Sequence, residues 1–202
     1  LPGIGFPGEA AGSVPQYYEW EPIERTTLAY GYGLAVSPMQ LAQAYAVFGN
    51  GGFRVTPKLY RDAPSIEPER VADEGLVDDV LQMLRGVVET GTATKAATES
   101  YDVAGKTGTT HFYGEFGYEA HEYSALFAGL APAEDPRIVT IVVIHEPQTD
   151  YYGGGSVAAP VFSAVTEATL RILGETPSAA LSARLSSASD QVDVLAQQGL
   201  VP

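Results

Sequence analysis

One short run of the sequence brings together the residue types that bind a carboxylate. Residues 103–109 read Val-Ala-Gly-Lys-Thr-Gly-Thr, so the cation Lys106 lies beside the hydroxyls of Thr107 and Thr109, with Gly108 between them. If this run is a strand, the alternation of side chains places the two threonines on one face and Lys106 on the other. We therefore predict a carboxylate-binding strand edge, with the cation sheltered from bulk solvent and close to a polar reaction centre.

The same sequence lacks the serine nucleophile that such a site would serve. No Ser has a Lys three positions later, and no Ser has an Asn two positions later. Thr92 and Lys95 have the first of these spacings, but they follow a predicted helix instead of beginning one. A loop beside the site is therefore a better interpretation of Thr92 than a nucleophile.

The histidines and the first glycine cluster offer weaker alternatives. His111 invites the role of a general base, but a loop histidine is the simpler interpretation, and His121 and His145 are treated in the same way. Residues 3–8 match a dinucleotide-binding glycine pattern only formally, because no strand precedes them and no helix follows. We predict no cofactor and no metal ion, since no familiar ligand spacing connects the two loop histidines with the nearby acidic residues Glu115, Glu119 and Glu122.

Three helices are predicted around this run. Ser37 and Pro38 have the residue types of a helix start, and the helix ends at the Gly-rich stretch 49–52. A second helix is predicted over Asp73 to Val88, and a third over Pro160 to Leu173. Their apolar faces are predicted to contain Leu76, Val80, Leu84, Val87 and Val88 in the second helix, and Val161, Val165, Leu170, Ile172 and Leu173 in the third.

Three strands are predicted in the second half of the chain, over Tyr101 to Thr109, Tyr123 to Leu130 and Ile138 to Ile144. The last is rich in β-branched residues, which predicts burial on both faces. Short connections favour antiparallel neighbours. The fold class predicted is therefore α/β of the α+β type, an antiparallel sheet flanked by helices. Residues 1–33 are predicted to be loop-rich, and the Ser- and Ala-rich residues 175–202 a weak helix or mobile tail.

Composition excludes several classes of partner. The net charge is −14 and the 11 Lys and Arg residues form no cluster, which argues against nucleic acid and anionic membranes. The longest apolar run, Ile138 to Ile144, is far below the roughly 20 residues that cross a bilayer, so we predict no membrane contact from this segment. The chain begins at Leu1 without a signal segment, and we interpret it as the C-terminal part of a longer polypeptide.

Four ordered blocks resemble the transpeptidase domain of class B penicillin-binding proteins, closest to the cell-division type. They read AYGYGLAVSPMQLAQAY at 29–45, VAGKTGT at 103–109, LFAGLAPAEDPRI at 126–138 and YYGGGSVAAPVF at 151–162. The resemblance covers residues 1–174 and leaves the tail 175–202 unexplained. It implies the C-terminal part of a serine β-lactamase/transpeptidase-like fold, and identifies Lys-Thr-Gly as one of the three motifs of these serine acyltransferases.

The resemblance implies a peptidoglycan DD-transpeptidase. Because the sequence lacks the family's SxxK and SxN serines, we predict that this chain is inactive alone and is completed by a serine from an upstream segment. In the family, a serine attacks the penultimate D-Ala carbonyl of a stem peptide, expels the terminal D-Ala and passes the acyl group to an amine. Lys106 would then shape the electrostatics of the site, while Thr107, Gly108 and Thr109 bind the carboxylate of substrate or β-lactam. The backbone N–H of Thr109 would be one oxyanion-hole donor.

The resemblance also assigns an aromatic wall around bound β-lactam to Tyr123, Tyr151 and Tyr152, for which ordinary core or strand-end aromatics are the alternative. Glycines 153–155 are predicted to permit close backbone approach. Residues 110–114 depart from the family pattern, which puts substrate contacts on that side in doubt.

The partners implied are peptidoglycan stem peptides, β-lactams, the upstream half of the transpeptidase domain and cell-division proteins. The location implied is the periplasmic face of the bacterial inner membrane, with the anchor in a missing N-terminal segment. Two other functions remain open from the sequence. One is a non-catalytic sensor that binds β-lactam or peptidoglycan, and the other is a DD-carboxypeptidase or β-lactamase of the same fold.

Overall fold

The structure is a computed structural model. It describes residues 3–14, 16, 20–114, 117–149 and 152–178, without the side chains of 111–122. The tail predicted over 175–202 is therefore described only as far as Ser178. The chain divides into two compact units, Leu1–Val77 and Asp78–Pro202.

The first unit contains two helices and a small sheet. Residues 1–33 were predicted to be loop-rich, but α1 lies within them, because Glu21 and Glu24 form a capping box around a first-turn Pro22. The two short strands pair antiparallel, with Phe53 opposite Arg70. The elements are α1 (Pro22–Leu28), α2 (Pro38–Gly49), β1 (Phe53–Arg54) and β2 (Glu69–Arg70).

Helix α2 confirms the prediction from its capping residues. Ser37 Oγ accepts a hydrogen bond from the backbone N–H of Gln40 at 3.2 Å, and the Gln40 side chain accepts one from the Ser37 N–H at 2.9 Å. This reciprocal pair satisfies two N–H groups that have no partner within the helix. The helix ends at Gly49, at the start of the predicted Gly-rich stop.

The second unit contains a three-stranded antiparallel sheet in the order β3-β4-β5. Thr107 of β3 lies opposite Phe127 of β4, which lies opposite Val142 of β5. Helix α3 begins in the first unit and continues into the second, where a 3₁₀ turn (Thr94–Ala96) follows it. The longer elements are α3 (Glu74–Glu89), β3 (Ala104–Gly114), β4 (Gly117–Ala131), β5 (Ile138–His145) and α4 (Gly154–Leu173).

The sheet differs from the prediction at three places. The hairpin of β3 and β4 extends to Gly114 and Gly117, where a loop between Thr109 and Tyr123 was predicted, because the two strands keep pairing beyond those residues. Strand β3 begins at Ala104 instead of Tyr101, because Asp102 makes its main-chain hydrogen bonds outside the sheet. Its N–H donates to Ser178 Oγ, and its C=O accepts from the N–H of Ala133. Strand β5 was predicted to be buried on both faces, but residues 138–144 are half-buried. Within the described part of the chain, β5 is an outer strand, which explains this exposure.

The core of the second unit lies between α4 and the sheet. Phe127 and Phe162 are fully buried, and their ring centroids are 4.5 Å apart. The predicted apolar face of α4 was wrong except for Leu170, since the other four predicted residues are between 42% and 85% exposed. Small side chains face the sheet instead, because they let the helix approach closely. The buried residues are Gly154, Ala158, Ala159, Phe162, Thr166 and Leu170.

The starts of α3 and α4 also differ from the sequence expectation. Leu76 was predicted on the apolar face of α3, but it is 55% exposed and its neighbour Val77 is buried. Helix α4 begins at Gly154, so that Pro160 lies inside it, and it ends as predicted at Gly174 with φ of 74°. By length and composition alone α4 could cross a membrane. Its buried Phe162 and Leu170 make it a core helix of this unit.

Candidate functional site

Lys106 lies at the exposed edge of the strand instead of in a sheltered position. Its ammonium donates to the carbonyl oxygen of Thr107 at 3.0 Å and approaches Thr107 Oγ1 at 3.3 Å. Strand alternation sends the Cβ atoms of the two residues to opposite faces, but the four-carbon stem of lysine is long enough to turn back around the strand. The cation and the hydroxyl of Thr107 therefore form one donor group.

Thr92 adds a second hydroxyl to this group. Its Oγ1 lies 3.1 Å from Thr107 Oγ1, and it follows α3 in the chain, as the interpretation of a loop beside the site requires. Sequence reasoning placed Thr92 in a loop beside the site but did not predict its contact with Thr107. The contact joins residues 15 positions apart, so no local pattern could have shown it.

Thr109 is held by the first turn of α4. The N–H of Gly154 donates to Thr109 Oγ1 at 3.1 Å, so the hydroxyl proton of Thr109 is free to point towards a bound acceptor. This contact requires a glycine, because a Cβ at Gly154 would collide with the carbonyl oxygens of Leu126 and Gly108. A Cβ at Gly155 would collide with the carbonyl oxygen of Thr92. The predicted close approach at glycines 153–155 is therefore confirmed for two of the three.

The chemistry of this group is that of an anion site. We refer to Lys106, Thr107, Thr109 and Thr92 as the clamp. It combines one ammonium with three hydroxyls, and the first turn of α4, whose end carries partial positive charge, binds one of those hydroxyls. Hydroxyl and ammonium donors converging from a strand, a loop and a helix start suit a carboxylate. The carbonyl of Gly108 lies against Gly154, which joins the clamp strand to the start of α4.

An aromatic pair stands beside the clamp. The rings of Tyr123 and Tyr152 are stacked, with centroids 3.9 Å apart and an angle of 14° between their planes. A hydrogen bond with Tyr152, followed by partial burial, raises the pKa of Tyr123 above its usual value. Tyr152 is 46% exposed, so it is not a core residue. Tyr151, the third predicted wall residue, lies outside the described residues, and the wall role stays a prediction.

The histidine alternatives have different outcomes. His145 Nδ1 and Ser124 Oγ are 2.7 Å apart across β4 and β5, which gives this histidine a local structural partner. His145 ends β5. His111, which was predicted to lie in a loop, lies in β3, where its backbone pairs with Tyr123. Its side chain, like those of His121, Glu119 and Glu122, is outside the described part, as is all of Glu115. Among the side chains that are described, no three His, Asp or Glu residues gather into a metal site.

Comparisons with a family model and with individual known proteins agree on one family. Residues 1–167 match the family of the penicillin binding protein transpeptidase domain. The chain is 41% identical over 177 residues to the peptidoglycan D,D-transpeptidase FtsI of Escherichia coli K12, which covers 87% of the chain and 30% of that protein. It is 37% identical over 180 residues to the probable peptidoglycan D,D-transpeptidase PenA of Neisseria meningitidis Z2491, covering 89% and 31% respectively.

A solved structure also agrees. The apo TP domain of Burkholderia pseudomallei penicillin-binding protein 3 has a TM-score of 0.80 and 41% identity, covering 87% of this chain and 54% of that one. The chain therefore spans about a third of the curated relatives and about half of the solved domain. The resemblance and the mixed helix and antiparallel-sheet fold predicted from the sequence are both confirmed.

Proposed function

Because this chain belongs to the penicillin-binding protein transpeptidase family, we propose that it is the part of a peptidoglycan DD-transpeptidase that binds the substrate carboxylate. The observation that carries this proposal is the clamp, in which the hydroxyls of Thr92 and Thr107 lie 3.1 Å apart beside the Lys106 ammonium. A stem peptide ending in D-Ala presents the carboxylate that such donors bind, and so does a β-lactam.

The reaction requires a serine from outside residues 1–202. That serine attacks the penultimate D-Ala carbonyl, the terminal D-Ala leaves as the amine, and a second stem peptide then takes the acyl group through its own amine. In this scheme the clamp orients the carboxylate, and the ammonium of Lys106 favours the negative charge of the transition state. The Thr109 N–H is our candidate for one oxyanion-hole donor, and Gly108 keeps the strand open to substrate.

Tyr123 and Tyr152 are the candidates for an aromatic wall. Their stacked rings present an apolar surface next to Thr109, since Ala125, two residues after Tyr123, pairs with Thr109 in the sheet. We extend the wall role to Tyr151 from the sequence alone. An apolar wall would exclude water from one side of the acyl-enzyme and contact the ring system of a β-lactam.

The remainder of the transpeptidase domain is the proposed partner of this chain. Two surfaces of the second unit suit it: the outer edge of β5 and the exposed apolar side of α4, which contains Val161, Val165 and Ile172. We further propose, from the resemblance of the sequence to the cell-division type, that the complete protein acts in septal cell-wall synthesis with cell-division proteins, on the periplasmic face of the inner membrane. The name of the FtsI relative supports the peptidoglycan transpeptidase part of this proposal.

Labelling with a fluorescent penicillin tests the proposal. We expect the complete protein to be acylated at a serine outside residues 1–202, and the isolated chain to stay unlabelled. Lys106→Ala in the complete protein should lower the acylation rate constant about 100-fold, the scale on which removing one transition-state donor acts. Lys95→Ala is the matched control, because Lys95 is an exposed cation on the nearby 3₁₀ turn.

Five outcomes would contradict the proposal. Labelling of the isolated chain would show a nucleophile within it. An unchanged acylation rate in Lys106→Ala, or an equal loss in Lys95→Ala, would remove the clamp from the reaction. A complete protein that binds penicillin reversibly, without acylation, would instead support the non-catalytic sensor, and one that releases D-Ala without cross-linking would support a carboxypeptidase.

A further inference from the structure

Four residues beyond α4 bind the segment that leads into the clamp strand. We refer to Glu175–Ser178 as the strap and to Ser100–Asp102 as the lead-in. Gly174 ends α4 in the left-handed conformation, with Glu175 N–H donating to the carbonyl oxygen of Leu170 at 3.0 Å. Pro177 restricts the preceding residue to extended backbone. The chain therefore turns off the helix and runs across the base of the sheet.

Each residue of the lead-in makes one hydrogen bond with the strap. Ser178 N–H donates to the carbonyl oxygen of Ser100 at 2.9 Å, and Asp102 N–H donates to Ser178 Oγ at 2.9 Å. The phenol of Tyr101 donates to the carbonyl oxygen of Glu175 at 3.1 Å. Tyr101 is only 2% exposed, so its hydroxyl needs this partner within the protein.

The strap also contacts the start of the opposite outer strand. Glu175 pairs with Arg137 at 3.0 Å, immediately before β5 begins at Ile138. The Ala133 N–H, in the turn between β4 and β5, donates to the carbonyl oxygen of Asp102 at 2.8 Å. One short segment thus joins the beginnings of β3 and β5, which lie on either side of β4.

We propose that the strap positions the clamp strand. The lead-in has no regular secondary structure, so its main-chain groups depend on the strap and its neighbours for their partners. Strand β3 begins only two residues after Asp102, and Lys106 lies two residues further on. Val103 and Ala104 are buried between them, so a displacement of the lead-in is passed on to Lys106 and Thr107 and is not absorbed by a loop.

Two shortened chains test this directly. One ends after Ser178 and retains the strap, and the other ends after Gly174 and lacks it. We expect the chain without the strap to show at least about tenfold faster hydrogen exchange at the β3 amides, since the three hydrogen bonds between strap and lead-in are lost. The γ-methyl NMR signals of Thr92 and Thr107 should shift, whereas that of Thr169, on α4, should not.

Single substitutions in the 202-residue chain keep the test decisive if the shorter chain fails to fold. Ser178→Ala removes one hydrogen bond and Tyr101→Phe another, and each should accelerate exchange in the lead-in and in β3. Ser178→Thr retains the hydroxyl and should restore the parent exchange rates and the Thr107 signal. If the strap only stabilised the unit as a whole, these substitutions would instead accelerate exchange equally in β3, β5 and α4.

The proposal is overturned by any of three results. The first is equal β3 exchange in the chains ending at Gly174 and Ser178. The second is a uniform acceleration over all elements of the second unit. The third is parent-like exchange in both Ser178→Ala and Tyr101→Phe. None of these readouts depends on acylation, so the strap can fail while the transpeptidase assignment stands, and the reverse.

Discussion

The two units differ in what holds them together. Among the described residues, every buried hydrophobic side chain except Val77 lies in the second unit. Of the helices that the structure describes, α1 and α2 lie wholly within the first unit and contain no buried residue, and Tyr30 and Tyr60 are each 72% exposed. The first unit is therefore specified mainly by local signals such as caps and turns, and the second by packing.

This difference has a simple physical origin. In the first unit, Ile23, Tyr30 and Tyr60 are more than half exposed and contribute little to a core, whereas Phe127 and Phe162 of the second unit are fully buried. The clamp lies in the unit that packs its own core, where a sheet, a helix start and a loop fix its hydroxyls.

The largest expected difference between the units is in the stability lost when an aromatic side chain is truncated. Phe127→Ala should destabilise the second unit by about 3–5 kcal/mol, because it leaves a cavity against Phe162. Phe127 also lies opposite Thr107, so the clamp should lose its geometry as well. Denaturant unfolding followed by hydrogen exchange in each unit measures the effect.

Tyr30→Ala is the matched aromatic truncation in the first unit. Its side chain is mostly exposed, so we expect a change within about 0.5 kcal/mol. A cost similar to that of Phe127→Ala would show that the first unit has a packed core of its own and would remove the contrast.

The same contrast explains what the sequence could predict. Helix α2 was predicted nearly to the residue, because Ser37, Pro38 and Gln40 carry its start within four positions. The start of β3 was predicted three residues early, because the groups that divert Asp102 from the sheet come from Ala133 and from Ser178, which is 76 positions away. Local signals are visible in one sequence, and distant partners are not.

The residues of the site were likewise predictable from local signals, whereas their exposure and packing were not. The lysine, the two threonines and the glycines of the α4 start could be named from their residue types and order. The exposure of Lys106 was missed because its stem turns around the strand edge. The buried face of α4 was missed because packing selected small Ala158 and Ala159 over the larger aliphatic residues.

Removing a cap should have a smaller effect, confined to the first unit. Ser37→Ala deletes the hydroxyl that accepts the Gln40 N–H and should cost about 1 kcal/mol of local stability. Amide exchange at Gln40 and Leu41 should accelerate, while the second unit keeps its parent rates. Ser37→Asn retains a capping oxygen and should behave like the parent, and a loss spread over both units would contradict a local origin.

The smallest expected difference between the units is in how their stability depends on pH. In the second unit, burial raises the pKa of Glu167, but hydrogen bonds from Ser100 and the charge of Arg171 outweigh it, so the pKa is lowered overall. A carboxyl with a lowered folded-state pKa stabilises above its unfolded value, and this stability disappears as pH falls through the folded value. Glu167→Gln should therefore be less stable than the parent at pH 7, with the difference vanishing well below about pH 4.

Glu9 provides the comparison in the first unit. The backbone N–H groups of Phe6 and Gly3 donate to its carboxylate at 3.0 and 3.1 Å, and the first of these is the main cause of its lowered pKa. The sign of the linkage is the same as for Glu167, but Glu9 is in contact with solvent, which screens the interaction. Glu9→Gln should therefore reduce the pH dependence of local stability at acidic pH less than Glu167→Gln does. Amide hydrogen exchange measured in each unit between pH 3 and 7 tests this. A larger effect for Glu9→Gln than for Glu167→Gln would contradict it, because local backbone contacts would then stabilise the first unit as strongly as packing stabilises the second.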